Sequence, residues 1–377
     1  MKLPIPLIEI SGAPMERGLA YGRAAADRIA RSYDLYGGTL EKRGVAWADA
    51  LAAAKRFLEE ITALEPALAE EIRGIAEGSG VPVEGVVIVN ARSEIIHRLG
   101  RKPAEGPDDG CTGIIVQPEA SGDSTLIHAQ NWDWMLAARE TVVLLRVTEG
   151  DHELLTFVEA GGLARCGLNS AGMALTGNSL KIAGPLPDKG LPISLIRRKV
   201  LAARCFSEAL GAIYKSPRGC ANNMMLSHAS GEAIDLETTP QEIFWLAPWD
   251  GLLVHANHFR SDAARAKLFD AGVADGPDTL SRELRLERLA RAKRGNIQIT
   301  DVMAMLLDRW GAPDGVLTLP QEEWPGIQLG TAASIVMAPQ RGELFFNVEP
   351  DRSSTFHRVS LTRPVDEMPL SPSPLIA

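Results

Sequence analysis

A cysteine at position 111 is the feature that most constrains this chain. Gly110 precedes it, and Thr112 and the short β-prone run 113–116 follow it. A small residue, a nucleophilic residue and a short strand form the arrangement that internal self-cleavage needs, in which the thiol attacks the Gly110 carbonyl and Cys111 becomes a new N-terminus. The freed α-amine, with a pKa of about 8, acts as general base for its own thiol. The pattern therefore predicts a nucleophile and a base on one residue.

The alternative interpretation of Cys111 is a buried strand cysteine, which is common in proteins. That alternative does not explain Gly110 and Thr112, or the segment 100–109, whose glycines, prolines and charges indicate an exposed loop. Gly110 is also expected to adopt a strained backbone conformation that other residues cannot reach. We therefore favour the nucleophile.

Composition excludes several classes of function. The 377 residues suffice for one large domain or two modest ones, and 39 Lys and Arg against 48 Asp and Glu give a net charge of −9. This sign disfavours a nucleic acid or an anionic membrane as partner. Because residues 1–7 do not resemble a signal peptide and no apolar stretch reaches the ~20 residues of a membrane span, a cytoplasmic protein is expected.

The four cysteines are Cys111, Cys166, Cys205 and Cys220. None forms a C-x-x-C pair, so a zinc site is not expected, and the sparse spacing indicates free thiols in a reducing compartment. Cys166 and Cys205 lie among apolar residues and are expected to be buried.

The pattern of apolar residues changes at Cys111. Residues 15–97 are predicted to be helical, with one helix over 46–77 that ends at 78–80. After Cys111, short strands separated by turns predominate, with predicted helices over 193–214, 281–292 and 301–310. Because strands and helices come in blocks, the fold class is α+β with antiparallel sheets.

Several motifs around Cys111 occur in a particular order. They are residues 109–112 and 130–134, with 12–18, 71–76 and 90–94 before them and 167–172 and 255–258 after them. In this order they resemble the acyl-coenzyme A:6-aminopenicillanic acid acyltransferase family, a branch of the N-terminal nucleophile (Ntn) hydrolases. The resemblance implies a four-layer αββα sandwich with a helical N-terminal segment, in which the cysteine begins a central strand.

The resemblance also implies how the chain is divided. Cleavage between Gly110 and Cys111 is expected to give a chain of residues 1–110 and a catalytic chain of residues 111–377. The two chains stay associated and form one domain. Residues 366–377 are expected to be a flexible Pro/Ser tail.

Residues 131–134 are predicted to end a strand near the nucleophile. Alternate strand residues share a face, so Asn131 and Asp133 point together and Trp132 and Trp134 point to the other side. The resemblance gives Asp133 the role of holding the new α-amine, although a turn-capping aspartate is the alternative. Asn131, Trp132 and Trp134 are expected to contact substrate, together with Leu329.

The resemblance places an oxyanion-stabilising side chain at Asn257. An amide donor of this kind contributes about 2.7–4 kcal/mol to the barrier where it has been measured. The alternative is an ordinary turn asparagine. His255 and His258 have a spacing that suits a metal, but no third ligand accompanies them, so no metal is expected.

Leu329 departs from the family pattern. The penicillin acyltransferase has an arginine at the corresponding position, and a guanidinium there suits a substrate carboxylate. Leucine has no such charge, so penicillin-type substrates are disfavoured. Two further motifs are expected to be structural: Arg92 and Glu94 as an ion pair, and 169–172 as a tight turn.

The leading hypothesis is a self-processing cysteine amidohydrolase or acyltransferase that acts on a small N-acyl amide through a thioester acyl-enzyme, without a metal or organic cofactor. An acceptor amine and an acyl-coenzyme A donor stay open as further small-molecule partners. Assembly of the processed chain into a homo-oligomer also stays open. Acyl-coenzyme A is less favoured, because the sequence has no Gly-rich loop that would hold its phosphates.

Three rival interpretations stay open. A bile-salt hydrolase or acid ceramidase type of enzyme would act on a lipid amide, but that group has an arginine where this chain has Gln130. A binding protein of the same fold would never cleave itself. A papain-like thiol protease would need a histidine partner and a different motif around its cysteine.

Overall fold

The computed structural model describes residues 3–99, 110–184, 186–187 and 189–362. The predicted loop 100–109 and the predicted tail 366–377 lie outside the described residues. Within the described part, the helices before residue 100 are α1 (Pro14–Ala24), α2 (Ala26–Lys42), α3 (Trp47–Leu64), α4 (Pro66–Ser79) and α5 (Val83–Leu99).

The N-terminal helices follow the prediction closely. Gly80 ends α4 in the left-handed conformation with φ 75°, where glycine pays no steric cost. The run 46–77 forms two helices rather than one, because Pro66 cannot continue α3 and instead opens α4 as its first residue.

The described strands form an eight-stranded and a seven-stranded sheet. The first sheet has the order β1 (Leu7–Ser11), β4 (Val142–Glu149), β5 (His152–Glu159), β6 (Cys166–Asn169), β7 (Met173–Thr176), β8 (Asn222–His228), β9 (Ala233–Thr238), β10 (Ile243–Leu246). The second has the order β11 (Leu252–His255), β2 (Gly110–Val116), β3 (Ile127–Met135), β13 (Ile327–Ala338), β14 (Glu343–Asn347), β15 (His357–Ser360), with β12 (Gln321–Trp324) beside β13.

The two sheets are covered by helices on their outer faces. The later helices are α6 (Ile193–Ala202), α7 (Phe206–Tyr214), α8 (Asp262–Lys267), α9 (Ala271–Asp275), α10 (Asp278–Lys293) and α11 (Ile299–Leu306). Helix α6 contacts β5, β6 and β7, whereas α10 and α11 contact β2, β3, β11 and β13. The sheets meet through β3 with β7 and β2 with β8. The predicted helix–sheet–sheet–helix sandwich is therefore confirmed.

The N-terminal segment is built into this sandwich. Strand β1 pairs in parallel with β4, and one hydrophobic core runs from Ile5 to Leu361. Helices α1 and α4 approach closely because glycines face each other: a Cβ on Gly18 would lie 2.1 Å from the Glu71 carbonyl oxygen. The Arg17–Glu71 salt bridge, at 2.7 Å, joins the same two helices.

Two predictions about 193–214 are wrong. The segment forms α6 and α7 rather than one helix, because the chain is extended at Ala203 and Cys205. Cys205 is exposed at the start of α7, whereas Cys166 is buried as expected. Between β8 and β9 the chain turns back on itself and forms a hairpin.

Candidate active site

Strand β2 places Cys111 between two neighbouring strands. Cys111 pairs with Trp132 and Gly110 pairs with Asp133 on β3. Directly opposed residues share a face of the sheet. The Cys111 side chain therefore lies on the inner face with Trp132, and is only 1% exposed.

Asn257 lies at the nitrogen of the Gly110–Cys111 peptide bond. The Cys111 N–H donates to Asn257 Oδ1 at 2.7 Å, and Asn257 Nδ2 donates to the Ser179 carbonyl at 3.1 Å. Strand β11, which pairs with β2, ends at His255 and so delivers Asn257 to this position. A primary amide has two N–H donors, so Nδ2 is able to serve a second acceptor.

Asp133 lies beside Gly110. Thr331 Oγ1 on β13 donates to Asp133 Oδ1 at 2.6 Å and holds the carboxylate in place. A Cβ added to Gly110 would lie 3.0 Å from Asp133 Oδ2, and Gly110 does not have a positive φ. Close approach to Asp133, rather than the expected backbone strain, therefore accounts for the glycine.

Arg282 on α10 is a functional candidate that the sequence analysis did not identify. Its Nη1 donates to the Cys111 carbonyl at 2.9 Å and to Thr112 Oγ1 at 2.8 Å, and its Nη2 donates to Asn257 Oδ1 at 3.0 Å. Asp278 accepts from its Nε at 2.8 Å. This one buried side chain holds the start of β2 against Asn257.

Arg165 is a second candidate that was missed. It precedes β6 and places Nη2 3.4 Å from the Cys111 sulfur and Nη1 3.0 Å from Gln130 Oε1. Its guanidinium carbon lies 4.4 Å from the Trp132 ring centroid. Arginine is common and this contact crosses between sheets, so local sequence carries no signal for it.

A cavity of about 220 Å³ opens beside these residues. Its lining includes Gly110, Asp133, Trp134, Asn257 and Leu329. The structure thus brings together three of the predicted catalytic and cleavage residues and two of the predicted substrate contacts. The sulfur of Cys111 faces away, into the space between the sheets.

Asn131 and Trp132 are not among the residues that line this cavity, although they were expected to contact substrate. Asn131 Nδ2 donates to the carbonyls of Leu306 and Val316, both at 2.7 Å, so its amide secures α11 and the following loop against β3. Trp132 is fully buried between Arg165 and Phe157. The predicted alternation of faces along β3 is nevertheless observed.

The cavity is lined by more carboxylates than cations. Lys181 pairs with Asp275 at 3.0 Å, and Arg282 pairs with Asp278. Burial, followed by repulsion from Asp314, raises the pKa of Glu323. Leu329 contributes no positive charge to this lining.

The two histidines that flank Asn257 have protein partners. Among the described residues, no group of His, Cys, Asp and Glu is arranged to hold a metal ion. His255 Nε2 lies 2.9 Å from Glu237 Oε1, and His258 Nε2 lies 3.1 Å from Glu283 Oε2. Burial alone lowers the pKa of His255, but Asp235 and Glu237 outweigh burial and raise it to about 9.

The two structural motifs differ in outcome. Arg92 pairs with Glu159 at 3.0 Å, while Glu94 Oε1 accepts from the Ile193 N–H at 2.8 Å. Burial raises the pKa of Glu94 while the charge of Arg92 acts to lower it, so the two predicted partners interact electrostatically while each also has another partner. Asn169 closes the β6–β7 turn by accepting N–H groups within it, as predicted.

The arrangement defines a class of protein. Two facing sheets between helical layers, with a cysteine at the start of a central strand, constitute the architecture of the Ntn hydrolases. The chain belongs to the acyl-coenzyme A:6-aminopenicillanic acid acyl-transferase family, whose model matches residues 120–324, more than half of the chain. The matched range includes Asp133 and Asn257 and begins after Cys111.

Known proteins resemble the chain in sequence and in structure. The acyl-coenzyme A:6-aminopenicillanic-acid-acyltransferase 40 kDa form of Emericella nidulans is 29% identical over 285 residues, covering 75% of this chain and 76% of that protein. A variant of conjugated bile acid hydrolase from Clostridium perfringens superposes with a TM-score of 0.47 at 14% identity, covering 66% of this chain and 92% of that one. The Caenorhabditis elegans N-acylethanolamine-hydrolyzing acid amidase ortholog gives 0.44 at 15% identity, covering 61% and 93%.

The described residues contain no helix that is long and apolar enough to cross a membrane.

Proposed function

We propose that this protein is a self-processing cysteine amidohydrolase or acyltransferase. It cuts itself between Gly110 and Cys111 and then removes the acyl group from a small N-acyl amide. The contact between the Cys111 N–H and Asn257 Oδ1 carries the proposal, because it places a polar side chain at the nitrogen that must leave. The cavity that reaches Gly110, Asp133 and Asn257 supplies the space for a substrate.

Self-cleavage is the first stage. The Cys111 sulfur attacks the Gly110 carbonyl carbon, and the bond between that carbon and the Cys111 nitrogen breaks. The thiol proton ends on the departing nitrogen, so the products are a thioester and a free α-amine. Water then cleaves the thioester into the Gly110 carboxylate and the Cys111 thiol.

Amide cleavage is the second stage. The α-amine accepts the thiol proton, and the thiolate attacks the substrate carbonyl. Asn257 Oδ1 and the neighbouring Asp133 hold the α-amine, and the second N–H of Asn257 Nδ2 donates to the oxyanion. The substrate amine leaves with a proton, and water or an acceptor amine resolves the thioester.

The order of the two stages follows from burial. The Cys111 side chain is 1% exposed and lies behind the strand, whereas the cavity reaches Gly110. A substrate therefore meets the sulfur only after the segment before Cys111 has been released. The uncut chain is a zymogen in this proposal.

The cavity also limits the substrate. Its volume of about 220 Å³ suits a compact acyl or amine group rather than a long lipid chain. The Emericella relative is named for an acyl-coenzyme A donor, and an acceptor amine in place of water would give the same chemistry here. Hydrolysis of a small amide is favoured, with transfer as the alternative outcome.

The test compares intact masses of the wild type, Cys111→Ala and Cys205→Ala. Cys205 is exposed and does not line the cavity, so its variant controls for loss of a thiol. We expect two fragments that meet between residues 110 and 111 from the wild type and from Cys205→Ala, and one uncut chain from Cys111→Ala. A wild type that stays whole in an active preparation contradicts self-processing.

Activity is then measured on a panel of small N-acyl amides, lipid amides and acyl-coenzyme A with an amine. Turnover of the small amides by the cut enzyme alone supports the proposal. Preference for lipid amides favours the bile-salt hydrolase type of function. Binding without turnover favours the non-catalytic alternative.

A further inference from the structure

Arg165 is a buried cation whose charge is not matched by a carboxylate. It is 4% exposed, and its side-chain contacts are Gln130, the Trp132 ring, the Cys111 sulfur and the neighbouring Cys166 thiol. Across the described part of the chain, it has no salt bridge to Asp or Glu. Arginine keeps its proton in proteins, and a buried charge without a partner is costly. Two sulfurs beside Arg165 are able to take a negative charge: that of Cys111, 3.4 Å from Nη2, and that of Cys166.

The guanidinium is held rigidly in front of that sulfur. Trp132 supports its plane from one side, an arrangement in which the ring attracts the cation. Gln130 accepts from Nη1 and is itself fixed by bonds of 2.8 Å to the Gly177 carbonyl and 2.6 Å to Asn178 Oδ1. Since Trp132 and Cys111 are paired across the strands, both present their side chains to Arg165.

The other titratable and charged groups nearby do not supply a competing partner. Cys166 follows Arg165 directly and hydrogen-bonds to it, but burial raises the pKa of the Cys166 thiol more than the Arg165 charge lowers it, which disfavours a thiolate there. Asp133 and Arg282 lie on the opposite face of the second sheet, toward α10. Three further groups line the small space near Arg165: Arg197, and Arg92 with its partner Glu159.

The first attack needs an activator other than the α-amine. Before cleavage the Cys111 nitrogen belongs to a peptide bond and donates its hydrogen to Asn257, so it cannot accept a proton. Thiolate, rather than thiol, is the effective nucleophile. A cation beside the sulfur favours that form without any need for the amine.

We propose that Arg165 is the counter-ion of the Cys111 thiolate and activates the sulfur for self-cleavage, before the α-amine exists. The role of Arg165 in self-cleavage rests on the proposed function, whereas the ion pair between Arg165 and Cys111 does not. In the step, the thiol proton passes to solvent, the thiolate forms the S–C bond to Gly110, and the departing Cys111 nitrogen takes up a proton from solvent. No proton is gained or lost overall. After cleavage the α-amine takes over, so Arg165 matters more for maturation than for turnover.

The direct test is an ultraviolet titration of thiolate absorbance in freshly refolded wild type that is still uncut, as the difference from Cys111→Ala. This measurement does not depend on reagents reaching a buried sulfur. The expected Cys111 titration lies below the ordinary thiol pKa of about 8.5. A midpoint at or above that value overturns the proposal, even if no Arg165 variant folds.

Arg165→Gln and Arg165→Lys separate charge from packing. Gln removes the cation, and Lys keeps it without the fork geometry. We expect Gln to slow self-cleavage at neutral pH about tenfold or more, the change in thiolate fraction that one pKa unit makes, and to move the thiolate titration upward. Lys should keep the cleavage rate within a few-fold of wild type.

The outcomes distinguish this inference from the proposed function. One outcome is a wild type that never cleaves but whose Cys111 thiolate forms at low pH, with a higher midpoint in Arg165→Gln. That result supports the ion pair and contradicts self-processing. If the wild type cleaves and Arg165→Gln has the same cleavage rate and the same thiolate titration midpoint, the ion pair alone is contradicted. Thermal unfolding of each variant identifies a merely structural effect, which would leave the thiolate titration of the folded fraction unchanged.

Discussion

Asn257 Oδ1 and the backbone nitrogen of Cys111 lie 2.7 Å apart, although the two residues are separated by 146 positions in the sequence. Arg282 Nη2 donates to the same Oδ1 at 3.0 Å, and Arg282 Nη1 donates to the Cys111 carbonyl. The orientation of the Asn257 amide is therefore defined by two donors. Its nitrogen is left to face Ser179 and any oxyanion that forms nearby.

Asn257→Asp separates the two functions of this side chain. Aspartate keeps the oxygen that accepts from Cys111 and Arg282, but it loses both N–H donors. We expect turnover to fall about 10²–10³-fold, the cost of removing one oxyanion donor. Steady-state kinetics on the cut enzyme checks this. A variant within threefold of wild type would show that only the acceptor oxygen matters.

Leu329→Arg places a guanidinium at the cavity that Asp314 and Glu323 also line. We expect the variant to gain preference for a carboxylate-bearing amide over its neutral isostere by about tenfold or more, since a hydrogen bond to a charged group contributes about 1.5–3 kcal/mol. The ratio of kcat/KM for the two substrates measures this. Leu329→Met, of similar size and neutral, is the control and should leave the ratio unchanged.

Gly18→Ala tests the contact between α1 and α4. The new Cβ would lie 2.1 Å from the Glu71 carbonyl oxygen, so backbone must shift. We expect a loss of about 1–3 kcal/mol in the free energy of unfolding, measured with urea. Gly38→Ala is the matched control, because Gly38 lies within α2 and a Cβ there meets nothing within 4 Å. It should stabilise by about 0.5–1 kcal/mol; equal effects at both sites would contradict the packing argument.

The buried His255 makes stability depend on pH. Its pKa is about 9 in the folded protein, above the unfolded value of about 6.5, so its contribution is complete below the unfolded value and is lost as pH rises through 9. Burial raises the pKa of Asp235 to about 7 against the opposing charge of His255 and with a smaller contribution from Glu237, so Asp235 adds no further change well above that pH. We expect the melting temperature to fall between pH 7 and about 9.5.

His255→Gln removes the titrating group in this test. The variant is expected to be less stable overall, because two carboxylates lose their cation. The informative quantity is the slope of melting temperature against pH, which should flatten above pH 7. An unchanged slope would assign the pH dependence to another group.

Part of the site follows directly from the sequence. Period-two alternation gives the faces of Asn131–Trp134 on β3, and the ordered motifs predict that Cys111, Asp133 and Asn257 meet. The sequence could not show which face opens to the cavity. Asn131 and Trp132 were expected to contact substrate, but in the structure the Asn131 amide holds the α11 end and the Trp132 ring supports Arg165.

The two arginines show what local patterns do not contain. Arg282 reaches β2 from a helix whose own periodicity only indicates which side is buried. Arg165 reaches Cys111 because the two sheets face each other at that level. Both contacts depend on how layers are stacked, and stacking is set by the summed packing of the core rather than by any segment.

The pairing of β1 with β4 bears on the fate of the first chain segment. Residues 7–11 cover the outer edge of the first sheet, so their departure would uncover a row of unpaired amides and carbonyls on β4. Cleavage between Gly110 and Cys111 would therefore leave a noncovalent heterodimer that stays associated on dilution. Removal of the smaller fragment should cause the larger fragment to aggregate rather than yield a free catalytic subunit.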